Sequence, residues 1–120
     1  MNPAEIDAII ATEVMAWKSW EGFYFKDNIE CGLVSAYHPT SNVAQAFEAL
    51  DRLCKNAKNS RDRLKYHIYN NLEDDDDDTN QIDFYYHHGD KFIGIQSEHK
   101  ILSMAISLAI ADYLKAEGKV

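Results

Sequence analysis

At 120 residues the chain has the length of one ordinary domain, enough to bury roughly two-thirds of its unfolded surface and fold alone. Its 46% hydrophobic and 27% charged residues match a soluble globular protein and exclude the composition of a long disordered chain. A formal net charge of −8 sets the surface as a whole against duplex nucleic acid and anionic lipid, but leaves room for a small anionic ligand held by local N–H groups and one or two cations.

Asn2 followed by Pro3, with Glu5 at the capping-box position, marks a helix start. Ile6, Ile9, Ile10, Val14 and Trp17 then recur at three- and four-residue spacing, so a core-facing helix is expected to about residue 17. From Trp20 to Tyr37 the pattern changes to aromatic and apolar runs interrupted by Asp27, Asn28 and Gly32, which reads as two short strands in a hairpin. His38-Pro39-Thr40-Ser41-Asn42 stops the strand and offers cap oxygens for a second helix over about 42–56. That helix places Val43, Ala46, Phe47 and Leu50 on one face, with Leu53 or Cys54.

Leu64, Tyr66 and Ile68 alternate with Lys65, His67 and Tyr69 as a half-buried strand does. The unbroken acidic run Glu73 to Asp78 favours a solvated loop. Ile82 to His88 and Lys91 to Gln96 form strand-like runs around a Gly89-Asp90 connector. Phe84 and Tyr86 fall on one face and Tyr85 on the other, a pattern that predicts a sheet covered on both faces. The last helix, with Ser97 as candidate N-cap, is apolar around much of its girth and ends near Gly118. The expectation is one α+β domain over 1–120: a mixed or antiparallel sheet of about five strands sandwiched by three helices, in the order αββαβββα.

The segments EIDAIIATEVMAW, HPTSNVAQAFEALDRL and MAISLAIADYLKA together resemble the phage ABA-sandwich family of small phage-encoded proteins. The resemblance covers most of the chain outside the acidic run. It implies a phage origin and a helix-sheet-helix sandwich, and it implies no activity. Two departures stand out: Ala16 occupies the place of the family's glycine before the tryptophan, and Glu73 to Asp78 reads as a local insertion.

The sharpest candidate site is Tyr37, His38, Thr40, Ser41 and Asn42. Hydroxyls, free N–H groups and the positive end of a helix dipole would meet an anion there, with Tyr37 stacking on a base. The plain alternative is simple capping of the helix. Among the aromatics between Trp17 and Phe25, Trp20 and Tyr24 are the expected exposed pair that could wall a ligand.

His87 and His88 are adjacent on a strand and point to opposite faces, so they do not make one metal site. Cys31 and Cys54 have no partners at zinc-ligand spacing. No GxSxG, GxGxxG or P-loop is present. No catalytic residue, metal or cofactor is therefore expected. The chain lacks a signal-peptide pattern and any apolar stretch of membrane-spanning length, so a cytoplasmic place, in the bacterial host, is expected.

The leading reading is a non-enzymatic counter-defence protein, a sponge that sequesters a cyclic nucleotide or cyclic ADP-ribose-type signal, with a pocket that could lie between protomers of a homo-oligomer. It predicts a small anionic nucleotide-type ligand and neither long nucleic acid nor membrane. The alternatives are an acidic inhibitor of a host defence protein, and a small hydrolase of the same signals using His38, His87 or His88 as base.

Overall fold

The computed structural model describes residues 1–57, 64–71 and 79–120. The basic stretch 58–63 and the acidic run expected as a loop at 73–78 lie outside the described residues.

The N-terminal cap forms as the sequence dictates. The Oδ1 of Asn2 accepts from the Glu5 N–H at 2.8 Å, and its Nδ2 donates back to Glu5 Oε1 at 3.1 Å. Helix α1 then spans Pro3–Ile9. Beyond it the expected regular helix widens into a π-helical turn over Ile10–Val14, and Met15 N–H reaches back to the Ile10 carbonyl. The wider turn lets Ile10, Ala11 and Val14 all enter the core. Trp17 lies past its end, because Ala16 adopts φ 57° and stops the helix.

Residues 18–33 form three strands where two were expected: β1 (Lys18–Trp20), β2 (Phe23–Lys26) and β3 (Ile29–Leu33). Both connections have positive φ at their two central residues, Glu21-Gly22 and Asp27-Asn28. That geometry belongs to tight hairpins whose twist matches their strands. Cys31 is the extra residue of a bulge in β3, between the Tyr24–Gly32 and Phe25–Glu30 pairs, and Gly32 at φ 133° takes up the bend.

Helix α2 (Val43–Ala57) buries Ala46, Ala49, Leu50 and Leu53. Strands β4 (Lys65–Asn71), β5 (Thr79–His88) and β6 (Lys91–His99) make a second antiparallel sheet with β5 central. Helix α3 (Leu102–Ala116) lies along β5 and β6 and against α2. Ser97, expected to cap this helix, instead pairs with Ile82 within β6, and its hydroxyl donates to Asp112 Oδ2 at 3.0 Å. The strand runs on to His99, whose Nδ1 accepts from the Ile101 N–H just before the helix begins. At the far end Gly118 (φ 71°) and the Lys119 N–H to Leu114 carbonyl bond close α3 in a Schellman ending.

The observed order is thus αβββαβββα with two separate three-stranded antiparallel sheets, which corrects the single five-stranded sandwich. The expected cover on both faces of the second sheet is also absent among the described residues. Ile82, Phe84 and Tyr86 face α3 and are buried, whereas Phe92 on the other side is 64% exposed. The molecule's short dimension is 21 Å, about two layers at ~10 Å spacing.

Candidate functional site

At the start of α2 most of the expected anion-binding groups are spent on the protein itself. The Thr40 N–H donates to Asp7 Oδ1 at 2.9 Å and its hydroxyl to Asp7 Oδ2 at 3.0 Å. Ser103 Oγ donates to the Thr40 carbonyl at 2.9 Å. Thr40 is therefore a buried clamp joining α1, the approach to α2 and the start of α3. Asn42 Oδ1 caps α2 by accepting from the Gln45 N–H at 3.1 Å. Gln45 in turn accepts from the His38 N–H at 2.6 Å and donates to the Ala36 carbonyl. The His38 carbonyl accepts from the N–H groups of Ser41 and Asn42 at 3.0 and 2.8 Å and from the Ser41 hydroxyl at 3.5 Å, leaving the exposed ring of His38 at the rim.

Tyr37 does not offer a stacking face to solvent. It is 7% exposed and packs edge-on against Trp17 at 4.9 Å and Tyr24 at 6.1 Å. Its hydroxyl is sealed from solvent and finds no hydrogen-bond partner among the described residues. Burial, and then the nearby charges of Glu48 and Asp7, push its phenol well above the usual tyrosine range. Tyr24, expected to be exposed, is only 5% exposed. It pairs with Ser19 on the face of the first sheet that turns toward Trp17 and Tyr37, so the expected exposed pair is split between the two faces. Burial, then Asp7, raises its phenol as well.

Trp20 is the member of the expected set that stands free, at 66% exposed. It lies on the opposite face from Tyr24, because Lys18 pairs with Phe25 and Trp20 with Phe23 across β1 and β2. Lys18, Trp20, Phe25 and Asn28 line an open cleft of about 320 Å³. The Trp20 and Phe25 rings are 6.3 Å apart and inclined at 57°, forming a wedge. Leu33, across from Phe23, extends the apolar surface. The two inclined rings offer stacking surface, Lys18 a cation, and Asn28 an amide that both donates and accepts.

The structure thus separates the seven expected residues into Trp20 on one face, a buried pair of tyrosines behind it, and a self-satisfied helix cap. Lys18 and Asn28 were not singled out by sequence. The signal that could have found Asn28 is its place beside Asp27 between aromatic strands, a two-residue turn that fixes both flanking registers.

Among the described residues the histidines join no cluster of metal-ligating side chains. His87 packs against Phe92 on the open sheet face, and His88 lies 3.2 Å from both Glu117 carboxylate oxygens. His38 belongs to the approach to α2. No cluster of metal-ligating side chains occurs among the described residues, and no described helix is long and apolar enough to cross a membrane.

No family model matches the chain, and no curated protein matches it. Among solved structures it is similar to a phage protein from Bacillus cereus ATCC 14579, known from a 2.0 Å crystal structure. The TM-score is 0.52 at 14% identity, over 91% of this chain and 88% of that one. At that identity the likeness establishes a shared fold.

Proposed function

We propose that this chain is a phage-type, non-enzymatic binding protein that takes a planar anionic ligand of the nucleotide-signal class in the Trp20 cleft, and that it acts by sequestration in the bacterial host. The reading places it with small phage proteins such as those of the ABA-sandwich family, in keeping with the Bacillus cereus phage protein that shares its fold. The observation that carries it is a tryptophan 66% exposed on strand β1 beside Phe25, Lys18 and Asn28. Large rings left in water on a small domain mark recognition surfaces. The cleft volume of about 320 Å³ sits at the lower end of the ~300–1,000 Å³ typical of small-molecule sites. In the bound arrangement a base stacks in the Trp20–Phe25 wedge, Lys18 meets a phosphate, and Asn28 reads a base edge or ribose hydroxyl. Nothing in that set activates water, so the ligand leaves unchanged.

The test is calorimetric titration with a panel of cyclic dinucleotides and cyclic ADP-ribose isomers, on the native chain and on Trp20→Ala. Base stacking on an aromatic ring contributes about 1–3 kcal/mol, so the variant should bind roughly 5- to 150-fold more weakly with an unchanged melting temperature. Binding unaffected by Trp20→Ala, or no binding by any member of the panel, overturns the proposal.

A further inference from the structure

The open face of the second sheet carries an unbroken row of rings. Tyr69 stacks on His67 at 6.0 Å, His67 meets Tyr85 edge-on at 5.8 Å, Tyr85 stacks on Phe92 at 6.0 Å, and Phe92 meets His87 at 5.3 Å. Midway along β6, Gly94 sits opposite Tyr85, beside this row of rings. Its φ is not in the left-handed region, and an added Cβ would meet Tyr85 Cδ1 at an ordinary 3.9 Å. The backbone therefore does not require glycine there. A glycine inside a strand weakens it, and commonly marks a place where another group approaches closely. Here its missing side chain leaves a depression of about 240 Å³ lined by Asp83, Tyr85, Gly94, Ile95 and Gln96.

Asp83 gives that depression its chemistry. Its carboxylate accepts from Gln81 Nε2 at 3.0 and 3.3 Å and from the Tyr85 hydroxyl at 3.2 Å. All of these donors are neutral. Among the described residues no lysine, arginine or histidine nitrogen lies within 4.0 Å of it. The carboxylate is thus half-buried and held in one orientation beside a tyrosine ring, and among the described residues it forms no ion pair, although His67 and Lys65 stand across from Asp83 and Tyr85 on β4.

We propose that this depression is a docking point for an arginine of a partner protein, with the guanidinium stacked on Tyr85 and ion-paired to Asp83. The volume decides against a nucleotide or other drug-sized ligand, which needs about 300 Å³ or more; it suits one side-chain end. The local charge decides against a phosphate, since the Asp83 carboxylate would repel it. Arginine is favoured over lysine because its planar fork both stacks on aromatic faces and bonds a carboxylate with two parallel N–H groups. The flanking rings Tyr69 and Phe92, 43% and 64% exposed, add apolar surface that a bound partner would cover around such a charged contact. This site lies on a different sheet from Trp20 and takes the opposite charge, so it stands or falls independently of the nucleotide-type cleft.

The experiment is a ¹H–¹⁵N NMR titration of the full chain with acetyl-arginine-methylamide, with the citrulline analogue as a neutral isostere. Saturable shifts centred on Gly94, Tyr85 and Gln96 are expected, weakened at least tenfold for citrulline and for Asp83→Asn, reduced by added salt, and retained in Trp20→Ala. Gly94→Val fills the depression with a good strand former, so it should abolish the shifts while preserving the folded spectrum. Absence of saturable shifts up to the solubility of the probe overturns the proposal. So does equal binding of arginine and citrulline, or undiminished binding by a folded Asp83→Asn or Gly94→Val variant.

Discussion

Replacing Ala16 by glycine should make this protein more stable, against the usual rule for alanine-to-glycine changes. Ala16 sits at φ 57°, where a Cβ crowds the following carbonyl at a cost of about 1–2 kcal/mol. Glycine removes that cost, but its freer unfolded chain takes back about 0.4–1 kcal/mol. The balance is a gain of roughly 0.5–1 kcal/mol, or about 2–5 °C in melting temperature for a chain of this size. The surrounding hydrogen bonds favour a clean outcome. Trp17 N–H donates to the Ala11 carbonyl at 3.0 Å and Met15 N–H to Ile10 at 3.2 Å, so the helix end is fixed by backbone groups that glycine retains. The ending at Gly118 uses a similar left-handed residue with the favoured glycine in place. Urea unfolding of the native chain and Ala16→Gly, compared at constant m-value, is the assay. A lowered midpoint would refute the reasoning, since it would mean that the left-handed geometry costs Ala16 less than the entropy does.

Other outcomes follow from the buried polar groups. Tyr37→Phe removes a sealed hydroxyl with no partner among the described residues and should stabilise by about 1 kcal/mol without changing ligand affinity; lost affinity would place Tyr37 in the site. Asp7→Ala strands the Thr40 N–H and hydroxyl and should cost about 2–4 kcal/mol, read by chemical unfolding, whereas a change under ~0.5 kcal/mol would show that the clamp is dispensable. Because burial raises the Tyr24 and Tyr37 phenols in the folded state, the unfolded chain releases its protons first. Stability should hold below about pH 10 and fall as pH rises through it, with a shallower fall in Tyr37→Phe. A flat stability profile between pH 9 and pH 11, each about one unit either side of the reference value, would contradict this.

Much of the architecture was legible because it rests on local rules. The Asn2 cap follows from a side chain acting on nearby backbone, the apolar face of α2 from residue spacing, and the Gly89-Asp90 hairpin and the Gly118 ending from a glycine's freedom to take positive φ. Strand β1 escaped because three residues, Lys-Ser-Trp, are too few to show alternation. Ser97 misled because a hydroxyl that looks like a cap is satisfied across the fold by Asp112. The open sheet face escaped for a related reason: aromatic residues that suggest burial can cover one another, as Tyr85 and Phe92 do. At the site, the sequence could not tell which face of the first sheet meets the body. That choice is made by Trp17 and Tyr37, which draw Tyr24 inward and leave Trp20 outside. Nor could sequence show that Thr40 is claimed by Asp7, a partner 33 positions away.

Sequestration itself is tested most directly by recovering the ligand. The protein would be incubated with each cyclic nucleotide or cyclic ADP-ribose isomer, separated from free ligand, heated to release what it holds, and the released material identified by mass. The account predicts that at least one signal is depleted from solution, returned intact on heating, and left free by Trp20→Ala. Return of a hydrolysed product, or equal depletion by the Trp20→Ala variant, would contradict it.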